Sequence, residues 1–217
     1  MLEYKVSATQ GAAMSDLREH WDRTYSTKAE TAVSWYRAQL DLSFRLIRKA
    51  GPAWSSSIVD IGGGASTLPD TLLDAGYSDV TVVDISSRAL AKSQSRLGNR
   101  ALLITWEVAD ITQWSPVRTW DVWHDRAVFH FLTDISAQEN YIRALRAGTR
   151  SGSGIVIATF APDGPEKCSG LPVQRYSATA LAERLGQPFQ LHEESSDRHA
   201  TPAGTVQNFT YALFIRS

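Results

Sequence analysis

The chain has 217 residues, 43% hydrophobic and 21% charged, with 22 Lys and Arg against 23 Asp and Glu for a formal net charge of -1. That length buries one sizeable core, and the near-neutral balance offers neither a basic face for a phosphate backbone nor a polybasic anchor for an anionic membrane, which disfavours nucleic-acid and membrane partners. Cys168 is the single cysteine, so an intrachain disulfide and a multi-cysteine metal site are both excluded, and a reducing, cytoplasmic setting with no metal is expected.

Residues 1–16 carry Glu3 and Lys5 and lack the uninterrupted apolar stretch of a secretory signal. Trp35 to Ala50 then places Leu40, Phe44 and Ile47 at the spacing of an amphipathic helix. Short, mostly β-branched runs follow at Ile58 to Ile61, Val80 to Asp84, Leu102 to Val108, Asp121 to His124 and Gly154 to Phe160, each bounded by turn residues and read as a buried strand. Between them, Thr67 to Ala75, Ser86 to Leu97 and Ile135 to Ala147 have helical spacing. Ala178 to Leu185 predicts a further helix, and Phe189 to Glu194 with Phe209 to Ile215 predicts a terminal antiparallel hairpin. The expected fold is α/β: a Rossmann-like, doubly wound, seven-stranded sheet, mostly parallel, in one domain over residues 1–217, with ligand chemistry beyond the carboxyl ends of the parallel strands.

Those strand ends carry the informative residues. The first runs through Asp60 into Gly62, Gly63 and Gly64, a turn between strand and helix where the backbone can approach a ligand without a Cβ in the way. A dinucleotide fingerprint places a third glycine where Thr67 stands, and Asp60 precedes the turn, so NAD is disfavoured. The Asp60 carboxylate either meets an ammonium group or bonds the turn amides. Asp84, with Ile85 beside it, ends the second strand about 20 residues on, where a carboxylate accepts ribose hydroxyls; Ser86 and Ser87 are available to cap the next helix. Asp110 ends the third strand and either accepts from an adenine amino group, with Ile111 packed on the ring, or caps its own turn.

With Asp60, Asp84 and Asp110 closing three consecutive strands around a glycine turn, the sequence resembles the class I SAM-dependent methyltransferases. His20-Trp21-Asp22-Arg23-Thr24-Tyr25, followed by Ser34-Trp35-Tyr36, is similar to the leading segment of a methyltransferase-domain group that includes protein lysine methyltransferases. In that group the segment folds over the cofactor, which implies S-adenosyl-L-methionine (SAM) as cofactor, Trp21 and Tyr25 as contacts to it and residues 1–36 as a lid. As a reading of the residues alone, these aromatics serve equally well as core. Arg126 and Ala127 stand where lysine-modifying relatives carry Lys and Gly, which weakens the case for a lysine acceptor.

Methyl transfer from a sulfonium needs mainly an aligned nucleophile and exclusion of water, and a base is optional. His124 or His130 could serve as one, His130 being the candidate counted as catalytic together with Asp125; alternatively Asp125 and Arg126 orient one another. Tyr36, Arg126, Phe129 and Cys168 are the candidate substrate contacts, Cys168 lying in the Pro- and Gly-rich loop Ala161 to Arg175 that is expected to wall the substrate site. His192 and His199 read as surface or packing residues. The expected function is SAM-dependent methylation of a small molecule. A protein lysine or amine methyltransferase and a non-catalytic adenosyl-binding module stay open.

Overall fold

The computed structural model describes residues 8–217, with side chains from Leu17 onward. Helices are α1 (Ala8–Thr27), α2 (Asp41–Ala50), α3 (Leu68–Asp74), α4 (Ser87–Leu97), α5 (Ile135–Ala147) and α6 (Ala178–Leu185); strands are β1 (Ser57–Ile61), β2 (Asp79–Asp84), β3 (Ile104–Val108), β4 (Trp120–Arg126), β5 (Thr149–Phe160), β6 (Lys167–Cys168), β7 (Leu171–Pro172), β8 (Phe189–Ala200) and β9 (Val206–Arg216). The main sheet has seven strands in the order β3-β2-β1-β4-β5-β9-β8. β1 to β5 pair in parallel, whereas β9 runs antiparallel to both β5 and β8.

Both faces of the sheet are covered, which is why its central strands read as continuous apolar runs. Alternation along β5 sends Ile155 and Ile157 into the core with Trp123, Tyr141 and Phe214 under α5 and α6, and Val156 and Ala158 into the other with Ile47, Leu72 and Leu90 under α2, α3 and α4. The chain winds from β1 outward to β2 and β3, then returns to β4 on the other side of β1. This reversal opens a crevice beyond the carboxyl ends of β1 and β4.

Several local expectations need correction. The helix expected from Trp35 begins only at Asp41, because carbonyls ahead of it are taken by tertiary partners: His199 Nε2 at 2.7 Å from Ser34 O, Arg126 Nη1 donating to Trp35 O at 3.1 Å and Thr67 Oγ1 to Arg37 O at 3.1 Å. Leu102 and Leu103, assigned to the third strand, lie in an exposed 3-10 turn ahead of β3. β8 continues to Ala200, well past Glu194. The loop after β5 contains the short β6–β7 hairpin, where no regular element was expected. No helix among the described residues is long and apolar enough to cross a membrane.

Candidate active site

A cavity of about 380 Å³ opens at the carboxyl ends of β1 to β4. Its wall includes Gly62, Asp84, Ile85, Asp110 and Ile111 from the strand ends, Trp21 and Tyr25 from α1, and Arg126, Ala127 and Cys168 from the far side. Tyr36 and Asp60 line a smaller recess that shares Tyr25, Trp35, Ile61, Gly62 and Arg126 with it.

The turn after β1 is shaped by backbone that only glycine adopts easily. Gly62 has φ +66°, and a Cβ on it would lie 2.0 Å from Val128 Cγ2; Gly64 has φ +38°, and a Cβ there would lie 2.7 Å from Asp84 Oδ2. Arg96 braces the turn from outside, donating to the carbonyls of Ala65 and Ser66 while pairing with Asp70 and Glu30.

Three carboxylates arrive here with different surroundings. Asp60 is buried, with Oδ1 2.7 Å from His124 Nδ1, whose Nε2 lies 2.9 Å from Ser43 Oγ. Its Oδ2 is buried with no hydrogen-bond partner among the described residues. An unmet acceptor of this kind is costly unless a ligand donor satisfies it, and the recess it lines suits an ammonium. Asp84 Oδ1 accepts the Ser86 N–H at 2.8 Å, and Ser86 itself caps α4 by accepting from Ala89 N. Burial, reinforced by the carboxylates of Asp60 and Asp22, pushes the Asp84 carboxyl up to about 7 against the pull of that N–H. Asp110 bonds its own turn through Thr112 N and Oγ1, both at 2.8 Å, so the turn-capping role is realised while the residue also faces the cavity.

The leading segment lies over the cavity. Trp21 meets Trp35 and Phe131 edge-on at 5.6 and 5.2 Å between ring centres, and the Trp35 indole N–H donates to the Tyr25 hydroxyl at 3.2 Å. Asp22 Oδ1 accepts from Ser86 Oγ at 2.6 Å, tying α1 to the start of α4 beside Asp84.

The residues at the end of β4 and just after it correct the expected division of roles. His130 and Asp125 are absent from the cavity wall and fully buried behind it. Asp125 accepts from Val128 N, Phe129 N and the Tyr141 hydroxyl, so it holds the turn together, and burial pushes its carboxyl up to about 6. His130 packs against Phe131 and Phe160, and burial together with Arg126 holds its imidazole down to about 3. A neutral ring walled off from the cavity cannot take a proton from a substrate in it. Phe129, expected to touch substrate, is likewise core, edge-on to Tyr141 and tilted against Tyr176. Sequence reasoning did not include Phe131, Val128 and Asn140 in the wall. It also missed that Ala127, standing where lysine-modifying relatives carry Gly, has φ +72°.

Residues 58–152, from β1 into β5, match the family described as "Methyltransferase domain". Over 95 residues the chain is 30% identical to the mouse eEF1A lysine and N-terminal methyltransferase, covering 44% of this chain and 13% of the relative. The chain thus spans about an eighth of that relative's length. A SAM-dependent methyltransferase from Anabaena variabilis superposes with a TM-score of 0.73 at 13% identity, covering 94% of this chain and 95% of that one. The Burkholderia thailandensis 1,6-didemethyltoxoflavin-N1-methyltransferase, solved with 1,6-didemethyltoxoflavin and S-adenosylhomocysteine, superposes with a TM-score of 0.66 at 16% identity over 100% and 93% of the two chains. These two likenesses show a shared Rossmann-like fold.

Proposed function

We propose that this chain is a SAM-dependent methyltransferase acting on a small-molecule acceptor. The observation that carries the reading is the unmet, buried Oδ2 of Asp60 in a recess continuous with the Gly62 to Gly64 turn and with Asp84 and Asp110, a row of acceptors for an ammonium, a ribose and an adenine. When bound, SAM supplies a methyl already activated on a sulfonium. The chain's own work is then binding, alignment and exclusion of water. Asp60 takes the ammonium, Asp84 the ribose hydroxyls and Asp110 the base edge, with Ile85 and Ile111 packing on the base. Trp21, Tyr25, Trp35 and Phe131 close over the reacting end as an aromatic wall; the first three belong to the lid expected over residues 1–36, of which residues 1–7 lie outside the described residues. His124 is engaged by Asp60 and Ser43, and His130 and Asp125 lie behind the wall, so none of these three is placed to take a proton from an acceptor in the cavity.

A protein lysine or amine acceptor is the second reading, favoured by the match to the eEF1A methyltransferases. The family match runs from residue 58 to 152 and stops before the Ala161 to Arg175 loop. It therefore bears on the cofactor half, while a concave cavity of about 380 Å³ favours a small acceptor. Calorimetric titration with SAM, S-adenosylhomocysteine and NAD tests the reading, followed by acceptor screening with labelled methyl. Binding of the first two and none of NAD is expected. Tight NAD binding without a response to SAM would sink it.

A further inference from the structure

Arg126 sits at the end of β4, on the β4-β5-β9 side of the crevice, opposite the half that carries the glycine turn, Asp84 and Asp110. Its partners among the described residues are all uncharged: Nε donates to the Tyr211 hydroxyl at 3.0 Å, Nη1 to the Trp35 carbonyl at 3.1 Å, and the guanidinium lies 4.7 Å from the centre of the Phe209 ring. Nη2 is buried and has no hydrogen-bond partner among the described residues. Arg126 is also the only Lys, Arg or His on the wall of the larger cavity among the described residues. The other arginine of the smaller recess, Arg37, is committed to Asp197 at 2.7 Å.

A guanidinium keeps its charge in any protein setting, and burying it beside neutral partners alone is unfavourable. Two hydrogen bonds and the ring contact fix its plane, and among the described residues Nη2 is left without a partner and the guanidinium without a counterion, on a residue that lines both the cavity and the recess. Such a pre-oriented donor suits a planar anion. The neighbouring wall is apolar and aromatic, formed by Trp21, Trp35, Phe131, Ala127 and Cys168. The Cys168 thiol does not compete as an anion, since burial pushes it up to about 12.

We infer that the methyl acceptor is an acid with an apolar or aromatic body, its carboxylate seated on Arg126 and its body against the wall that Trp21, Trp35 and Phe131 form together. The inference rests on the methyltransferase reading and names the substrate class of that same site. Arg126 is a binding residue in it, not a proton carrier.

Benzoate and its neutral counterpart benzamide test this, each titrated by NMR into protein saturated with S-adenosylhomocysteine. Benzoate is expected to bind, benzamide at least about tenfold more weakly, and R126Q to lose about tenfold or more of the benzoate affinity, the worth of one charge-assisted hydrogen bond. R126K, which keeps the charge and loses the fork, should fall between. The benzoate and benzamide comparison on the unaltered chain stands even if R126Q fails to fold. Equal affinity for the two, no binding of benzoate, or unchanged affinity in a folded R126Q overturns the inference. S-adenosylhomocysteine titrated into R126Q should bind within about twofold of the unaltered chain; a tenfold loss would assign Arg126 to the cofactor's own carboxylate and equally overturn it. Failure of the unaltered chain to bind S-adenosylhomocysteine is a different result, which removes the methyltransferase reading first and this inference with it.

Discussion

Replacing Asp84 by Asn should make the protein more stable and worse at its work, and the two effects should separate with pH. The amide is nearly isosteric and keeps an oxygen for the Ser86 N–H. It removes a carboxyl that burial has raised from 3.8 to about 7. The unfolded chain releases that proton near pH 4, whereas the folded, ligand-free chain holds it until about pH 7. The penalty on folding is therefore absent below pH 4, grows through this window and is level above pH 7. Its full size is on the order of 4 kcal/mol at about 1.4 kcal/mol per pH unit. If only about 1 kcal/mol of it is realised, the melting temperature of D84N should exceed that of the unaltered chain by roughly 2 to 4 °C more at pH 8 than at pH 4. Binding should move the opposite way, because charge-assisted hydrogen bonds to ribose hydroxyls are worth about 1.5 to 3 kcal/mol each, so D84N should bind S-adenosylhomocysteine roughly tenfold or more weakly at pH 8. Scanning calorimetry at the two pH values and isothermal titration at pH 8 measure both. An unchanged dissociation constant would place the ribose elsewhere, and a stability difference that does not grow with pH would show that Asp84 carries no buried penalty.

Gly62→Ala forces a side chain to φ +66° and drives its Cβ to within 2.0 Å of Val128 Cγ2; it should cost about 1 to 3 kcal/mol in denaturant unfolding and weaken S-adenosylhomocysteine binding, and a variant as stable and as tight-binding as the unaltered chain would contradict the geometry. The leading segment should gain protection when cofactor binds, because Trp21 and Tyr25 wall the cavity while α1 is tied to α4 through Asp22 and Ser86. Amide exchange with and without SAM should show slower exchange before Trp35 with the sheet unchanged; equal protection in both states would make the segment a fixed part of the core.

Much of the architecture was legible because local chemistry and tertiary demand agree. The helices Ile135–Ala147 and Ala178–Leu185 were read with the bounds they have, since Asp134 and Ser177 cap them by accepting from Ala137 and Ala180. The buried strands announced themselves as short β-branched runs between turn residues, and the glycine turn with its acidic strand ends marked the site in one dimension because strand ends converge in this topology. Where the two disagree, periodicity misleads: Trp35 to Leu40 has helical spacing, yet the carbonyls of Ser34, Trp35 and Arg37 are claimed by His199, Arg126 and Thr67 from distant parts of the chain. The side chains at the end of β4 and just after it were the least legible. Asp125, Arg126, Phe129 and His130 are near neighbours in sequence, but strand alternation puts Asp125 and Arg126 on opposite faces at the end of β4, with Arg126 on the cavity, and beyond the turn through Ala127 at φ +72° Phe129 and His130 lie in the core. Sequence alone determined which residue types stand at the strand ends. Which of them face a ligand, and that Asp60 and Arg126 each keep one buried polar atom unmet, only the tertiary structure decided, because burial and pairing depend on what packs from the opposite side of the crevice.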